Sequence, residues 1–188
     1  RQMTATVPPP PQTPYRSVLA MIREHARRAP AQDCLVAIDQ NTALTWHQLY
    51  RLTNKLSAWL QAQGIGANDR ILVLTDNSLE NLILYFGIQR HGATFCTVNV
   101  DINAHHMREI IDRLAPKIVL WHDALDLSEI RQTALGTWVS FGTADPDGAT
   151  ATDGGLFEAL NAFDGDAEPD EVSTENDAAV ICCTSGTS

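Results

Sequence analysis

Three consecutive stretches, Arg70-Ile71-Leu72-Val73-Leu74, then Ser78 to Arg90, then Thr94-Phe95-Cys96-Thr97-Val98, decide the fold class. The outer two are short apolar runs of strand length, and the middle one opens on a serine able to cap a helix that is apolar on nearly every side. A strand, a helix without a polar stripe and a second strand make a βαβ unit, with parallel strands and a buried helix between them.

The same alternation extends outward in both directions. Upstream, Ser17 to Arg28 reads as a helix with Val18, Leu19, Ile22 and Ala26 on one face, ending before Pro30 because the residue preceding a proline disfavours helical geometry. Cys34 to Ile38 reads as a strand. Thr45 with Gln48 forms a capping box for a helix whose stripe is Leu49, Leu52, Leu56, Trp59 and Leu60, closing near Gly64. Downstream, Asn103 caps a helix with Met107, Ile110, Ile111 and Leu114 facing inward; Pro116 ends it, and Lys117 to Trp121 is the next strand. A weaker helix, Leu125 to Leu135, leads to a strand from Trp138 to Phe141, an exposed Gly/Asp/Thr-rich loop from Gly142 to Gly155 and a short helix from Leu156 to Phe163. The acid-rich stretch from Asp145 to Asp177 reads as a solubilising linker, and Ala178 to Cys183 as the last strand. The fold class is therefore α/β: a layered, mostly parallel sheet with helices on both faces and no internal repeat.

With 188 residues, 44% of them hydrophobic, the chain can bury a core and forms one domain or most of one. Residues 1–14, through Pro8-Pro9-Pro10-Pro11, read as an extended arm ahead of the α/β domain at 15–188. The net charge of −10, from 23 acidic and 13 basic residues, and the lack of a clustered basic surface argue against nucleic acid as a partner. The longest apolar run, Leu82 to Ile88, is far too short for a membrane span. Cys34, Cys96, Cys182 and Cys183 show no C-x-x-C spacing and point to a reducing cytoplasm, with Cys182 and Cys183 on opposite faces of a strand. Adjacent His105 and His106 read as helix-surface residues without a partner at ligand spacing, so no metal site is expected.

The last strand runs into Thr184-Ser185-Gly186-Thr187-Ser188. A glycine without a Cβ lets backbone approach an anion, and four hydroxyls add donors to the backbone N–H groups, so the stretch suits phosphate. A polar turn ending any strand is the plainer alternative.

Position and company favour the first reading. Ala178 to Ser188 resembles the phosphate-binding signature of the adenylate-forming superfamily: acyl-CoA synthetases, peptide-synthetase adenylation domains and luciferases. Leu44-Thr45-Trp46-His47-Gln48-Leu49 is similar to that family's early L-T-[YW]-x-[EQ]-L segment, and Asp69 to Leu74 followed by Tyr85 to Ala93 to its strand, buried helix and GxxxxGA run, whose glycines are expected to allow close helix-to-sheet packing. Asn99-Val100 stands where acyl-CoA synthetases carry Asn-Pro and peptide-synthetase domains a Pro-Leu-Asp sequence. Cys183, Ser188 and Val100 depart from the usual aromatic, threonine and proline; the serine keeps a hydroxyl, and the other two leave the subfamily open.

The resemblance implies an N-terminal portion of an ATP-dependent acyl-CoA synthetase. The enzyme would activate a carboxylic acid at the α-phosphate of ATP with Mg²⁺ and pass the acyl group to coenzyme A, or to a carrier protein in the rival subfamily. A non-catalytic α/β binding module is the third reading. Thr184, Ser185, Gly186, Thr187 and Ser188 are implied to bind the β and γ phosphates, with no catalytic residue among them. The family's loop lysine, acyl pocket and C-terminal lid are not in the sequence, so the 188 residues alone are expected to be inactive.

Overall fold

The computed structural model describes residues 14–131, 136–144 and 155–183. Helix α1 (Val18–Arg28) follows Ser17, whose Oγ accepts the Ala20 N–H at 3.2 Å. Strands β1 (Asp33–Ala37) and β2 (Thr42–Thr45) form an antiparallel hairpin. Helix α2 (Trp46–Ala62) opens on the expected box: Thr45 Oγ1 accepts the Gln48 N–H at 3.2 Å and Gln48 Oε1 accepts the Thr45 N–H at 2.9 Å. Such caps supply acceptors for N–H groups that lack a partner within the helix, each worth about 1 kcal/mol.

Then come β3 (Arg70–Leu74), α3 (Leu79–His91), β4 (Thr94–Thr97), α4 (Ala104–Leu114), β5 (Ile118–His122), α5 (Ser128–Arg131), β6 (Thr137–Phe141), α6 (Leu156–Ala159) with a 3₁₀ turn at Leu160–Ala162, and β7 (Val180–Cys182). Ser78 and Asn103 cap α3 and α4 as expected, and Ala115, at φ 45°, takes the left-handed turn after α4 ahead of Pro116. Strand β2 is new; its four residues merge into the helix cap and carry too little alternation to be read alone. Of the weaker helix read from Leu125, only Ser128–Arg131 is helical, residues 132–135 lying outside the described residues.

Five strands pair in the order β6-β5-β3-β4-β7, every neighbour parallel. Alternate residues of these strands feed two cores. Ile71, Val73, Phe95, Ile118 and Leu120 pack with apolar residues of α2, α3 and α6, whereas Leu72, Leu74, Cys96 and Val119 pack with Met107 and Ile111 of α4 and Ile130 of α5. Helices thus cover both faces, which is why the strands read as continuous apolar runs. Among the described residues no helix is long and apolar enough to cross a membrane.

The close approach expected of the glycines is differently directed. A Cβ on Gly87 would lie 2.5 Å from Leu56 Cδ2, so this glycine brings α3 against α2 and not against the sheet. Gly92 (φ 103°) would meet Ser173 N at 2.6 Å, so it admits a later segment of chain.

Candidate functional site

In a parallel sheet all strands end on one edge, and ligands of open α/β sheets bind there, where helices from adjacent strands leave over opposite faces. Here α3 follows β3 over one face and α5 precedes β6 on the other, which puts the divergence between the ends of β3 and β5. Thr75, Asp76 and Asn77 follow β3 on this edge, and His122 closes β5, its Nδ1 accepting the Ala124 N–H at 3.1 Å. On the other side of β3, Asn99 follows β4 and its Oδ1 accepts the Asp101 N–H at 2.9 Å, while Val100 packs on the α4-side core.

Strand β7 ends on the same edge. Cys182 lies opposite Thr97, and the Cys183 N–H donates to Thr97 O at 3.1 Å. Ile181 and Cys183 pack into the α4-side core and Cys182 is exposed, so the adjacent cysteines do point to opposite faces. Burial is the main cause raising the Cys183 and Cys96 thiols, Cys96 to about 11, so neither is a thiolate nucleophile at neutral pH. Thr184, Ser185, Gly186, Thr187 and Ser188, read from sequence as phosphate-binding, lie outside the described residues.

The acidic stretch before β7 corrects the reading of a merely solubilising linker. After α6 and its 3₁₀ turn it runs as a strap across α1, α2 and α3. Glu168 pairs with Arg23 and accepts the Tyr50 hydroxyl at 2.8 Å, and Asp166 pairs with Arg51. The hydrogen bond from Arg23 holds the Glu168 carboxyl below its ordinary range. Asp177 accepts from Asn68 Nδ2 at 2.6 Å and from the Thr174 N–H at 2.8 Å. Nor is the stretch from Gly142 to Gly155 exposed throughout: Ala144 is buried, and its N–H donates to Glu80 Oε1 at 2.9 Å.

Sequence reading also missed the buried polar groups of α2 and α3. Asn54, Ser57, Arg90 and His91 are all 0% exposed. Arg90 donates from Nε to Asn54 Oδ1 (3.0 Å), from Nη1 to Ser57 Oγ (3.0 Å) and from Nη2 to Pro169 O (2.6 Å). His91 Nε2 faces Ile65 O at 3.0 Å, and a carbonyl only accepts, so the proton sits on Nε2; Nδ1 then accepts from the Ser57 hydroxyl at 2.9 Å. The signal was available: a cation in a helix apolar on all sides must be buried and therefore partnered. Glu80, 1% exposed, obeys the same rule and accepts from Gln40 Nε2 at 2.9 Å.

Among the described residues no group of three or more His, Cys, Asp or Glu could hold a metal ion. His105 does have an acidic neighbour one turn on, contrary to the sequence reading: its Nε2 lies 3.6 Å from Glu109 Oε1 at an exposed i,i+4 pair.

Comparison with known proteins agrees with this geometry. The AMP-binding enzyme family matches residues 22–188. The long-chain-fatty-acid–CoA ligase FadD13 of Mycobacterium tuberculosis is 28% identical over 101 residues, covering 54% of this chain and 20% of the ligase. Nonribosomal peptide synthetase 5 of Gibberella zeae is 28% identical over 147 residues, 72% of this chain and 1% of that protein. The solved fatty acyl CoA synthetase of Mycobacterium tuberculosis superposes with a TM-score of 0.75 at 25% identity, over 90% of this chain and 32% of its own. The chain thus spans a fifth or less of the curated relatives named here and about a third of the solved synthetase.

Proposed function

The chain belongs to the AMP-binding, adenylate-forming enzyme family, and from that premise we propose that it is the N-terminal part of an acyl-CoA synthetase. The observation carrying this reading is the family match over residues 22–188, which takes in a parallel strand that ends beside β4 on the edge where α/β sheets take ligands. In this reading the backbone N–H groups of 184–188 and the hydroxyls of Thr184, Ser185, Thr187 and Ser188 hold the β and γ phosphates of ATP, and Gly186 lets the backbone come close. ATP with Mg²⁺ supplies the leaving group for activation of a carboxylic acid, and coenzyme A takes the acyl group. These activities belong to the whole enzyme. The four cysteines, all unpaired, support a cytoplasmic setting.

Coenzyme A is favoured as acceptor by Asn99, which stands where acyl-CoA synthetases carry asparagine and here fixes the turn after β4. The similarity to a nonribosomal peptide synthetase favours a second reading, in which the acyl group is loaded on a carrier protein. Carboxylate-dependent exchange of labelled pyrophosphate into ATP, measured on the natural full-length polypeptide, tests the shared step. Exchange followed by a coenzyme A thioester is the expected result. Exchange with loading of a phosphopantetheinyl carrier instead would select the second reading, and no exchange across a broad carboxylate panel would overturn both.

A further inference from the structure

Residues 90–95, the end of α3 and the start of β4, meet residues 169–179 of the strap in order. Arg90 Nη2 holds Pro169 O at 2.6 Å, and His91 O accepts the Val172 N–H at 2.9 Å. Gly92 makes room for Ser173, where any Cβ would come within 2.6 Å of the Ser173 nitrogen. Thr94 Oγ1 donates to Ala178 O at 2.8 Å, and the Phe95 N–H to Ala179 O at 3.0 Å. At the next residue β7 begins, with Val180 beside Phe95. Five of these six residues therefore meet the strap, and the segment acts as a template along which the strap is laid just before it becomes β7.

Arg90 heads that template. Burying a guanidinium is costly, and an apolar side chain of similar volume commonly gives a core equal or greater stability. An apolar side chain cannot hold the carbonyl of an irregular segment at a set position, whereas Arg90 does so from a fork fixed by Asn54 and Ser57. Asn54 adds a second hold, donating from Nδ2 to Gly165 O at 3.0 Å. Among the described residues no hydrogen bond ties Arg90 to a carboxylate; Glu168 and Glu171 of the strap act on it through space.

We propose that Arg90 is a positioning residue for ATP binding: through Pro169 and the ordered contacts of 90–95 with the strap, it sets where β7, the strand whose sequence continues into the stretch read as phosphate-binding, docks on β4. This rests on the reading of 184–188 as the phosphate loop. The test is pyrophosphate-exchange kinetics of the full-length enzyme carrying Arg90→Lys or Thr94→Val, with amide hydrogen exchange on the same proteins. Arg90→Lys is expected to raise KM for ATP roughly 10- to 100-fold, as misplacement of a binding group by about 1 Å does, with KM for the carboxylate unchanged. Thr94→Val shifts KM for ATP the same way by less, and carries the test if Arg90→Lys does not fold. Amides of Phe95 and Cys183 should exchange faster while those of Leu72 and Val119 keep their protection. A lower melting temperature with KM for ATP and β7 exchange unaltered in both variants would overturn the proposal and leave Arg90 an ordinary core residue. If the unmodified enzyme shows no pyrophosphate exchange, the phosphate-loop reading fails, and amide exchange still decides whether Arg90 sets the docking of β7.

Discussion

Gly92 answers two demands at once: a backbone at φ 103° and a contact with Ser173 that leaves no room for a methyl group. Gly92→Ala should therefore cost about 2 kcal/mol or more, from left-handed strain plus overpacking against backbone that cannot swing away, measurable by urea unfolding. Beside it, His91 is neutral and fully buried, its pKa lowered mainly by burial and further by Arg90, with the Ile65 hydrogen bond and Asp69 opposing. The unfolded chain binds the proton near pH 6.5 and the folded one only at lower pH, so the unfolded state takes up more protons as pH falls. Stability from this residue is complete above about pH 6.5 and declines below it, by at most about 1.4 kcal/mol per pH unit. Urea midpoints measured from pH 8 to 5 should fall on the acid side, and His91→Gln should flatten that fall.

At the scale of elements, the strap is held by two kinds of contact of unequal worth. The Arg23–Glu168 and Arg51–Asp166 pairs are partly solvated, so Glu168→Gln should cost less than about 1 kcal/mol. Asn54→Leu strips partners from Gly165 O and Arg90 Nε inside the core and should cost about 2–4 kcal/mol in the same urea experiment. This inequality also explains what was legible in the sequence. Caps and apolar periods are local, so the helices after Ser17, Thr45, Ser78 and Asn103 and the strands from β3 to β6 could be read within a residue or two. The strap's contacts join residues more than seventy positions apart, as Arg90 with Pro169 or Thr94 with Ala178, and no local pattern records them. For the candidate site, the strand to Cys183 and its apolar character were legible; its neighbour β4 was not, because strand order follows from packing of the whole sheet.

The whole molecule is a sheet whose centre is dry on both faces, and its thiols report on that centre. Cys96 is 0% exposed with its pKa pushed up to about 11, so it should react with a thiol reagent only at the rate of global opening, and last of the four cysteines. Labelling followed by mass spectrometry at increasing urea checks this; early reaction of Cys96 would show that β4 opens locally. Strand order also departs from chain order, since β4 acquires its outer neighbour only when β7 arrives after β5, β6 and the strap. On a ribosome adding about 5–20 residues per second, the stretch from Thr97 to Val180 takes roughly 4–17 seconds to appear. For that interval the nascent chain carries an apolar strand with one unsatisfied hydrogen-bonding edge, so the topology that brings β7 in after β5 and β6 also opens a period of exposure to misassociation and to chaperone capture.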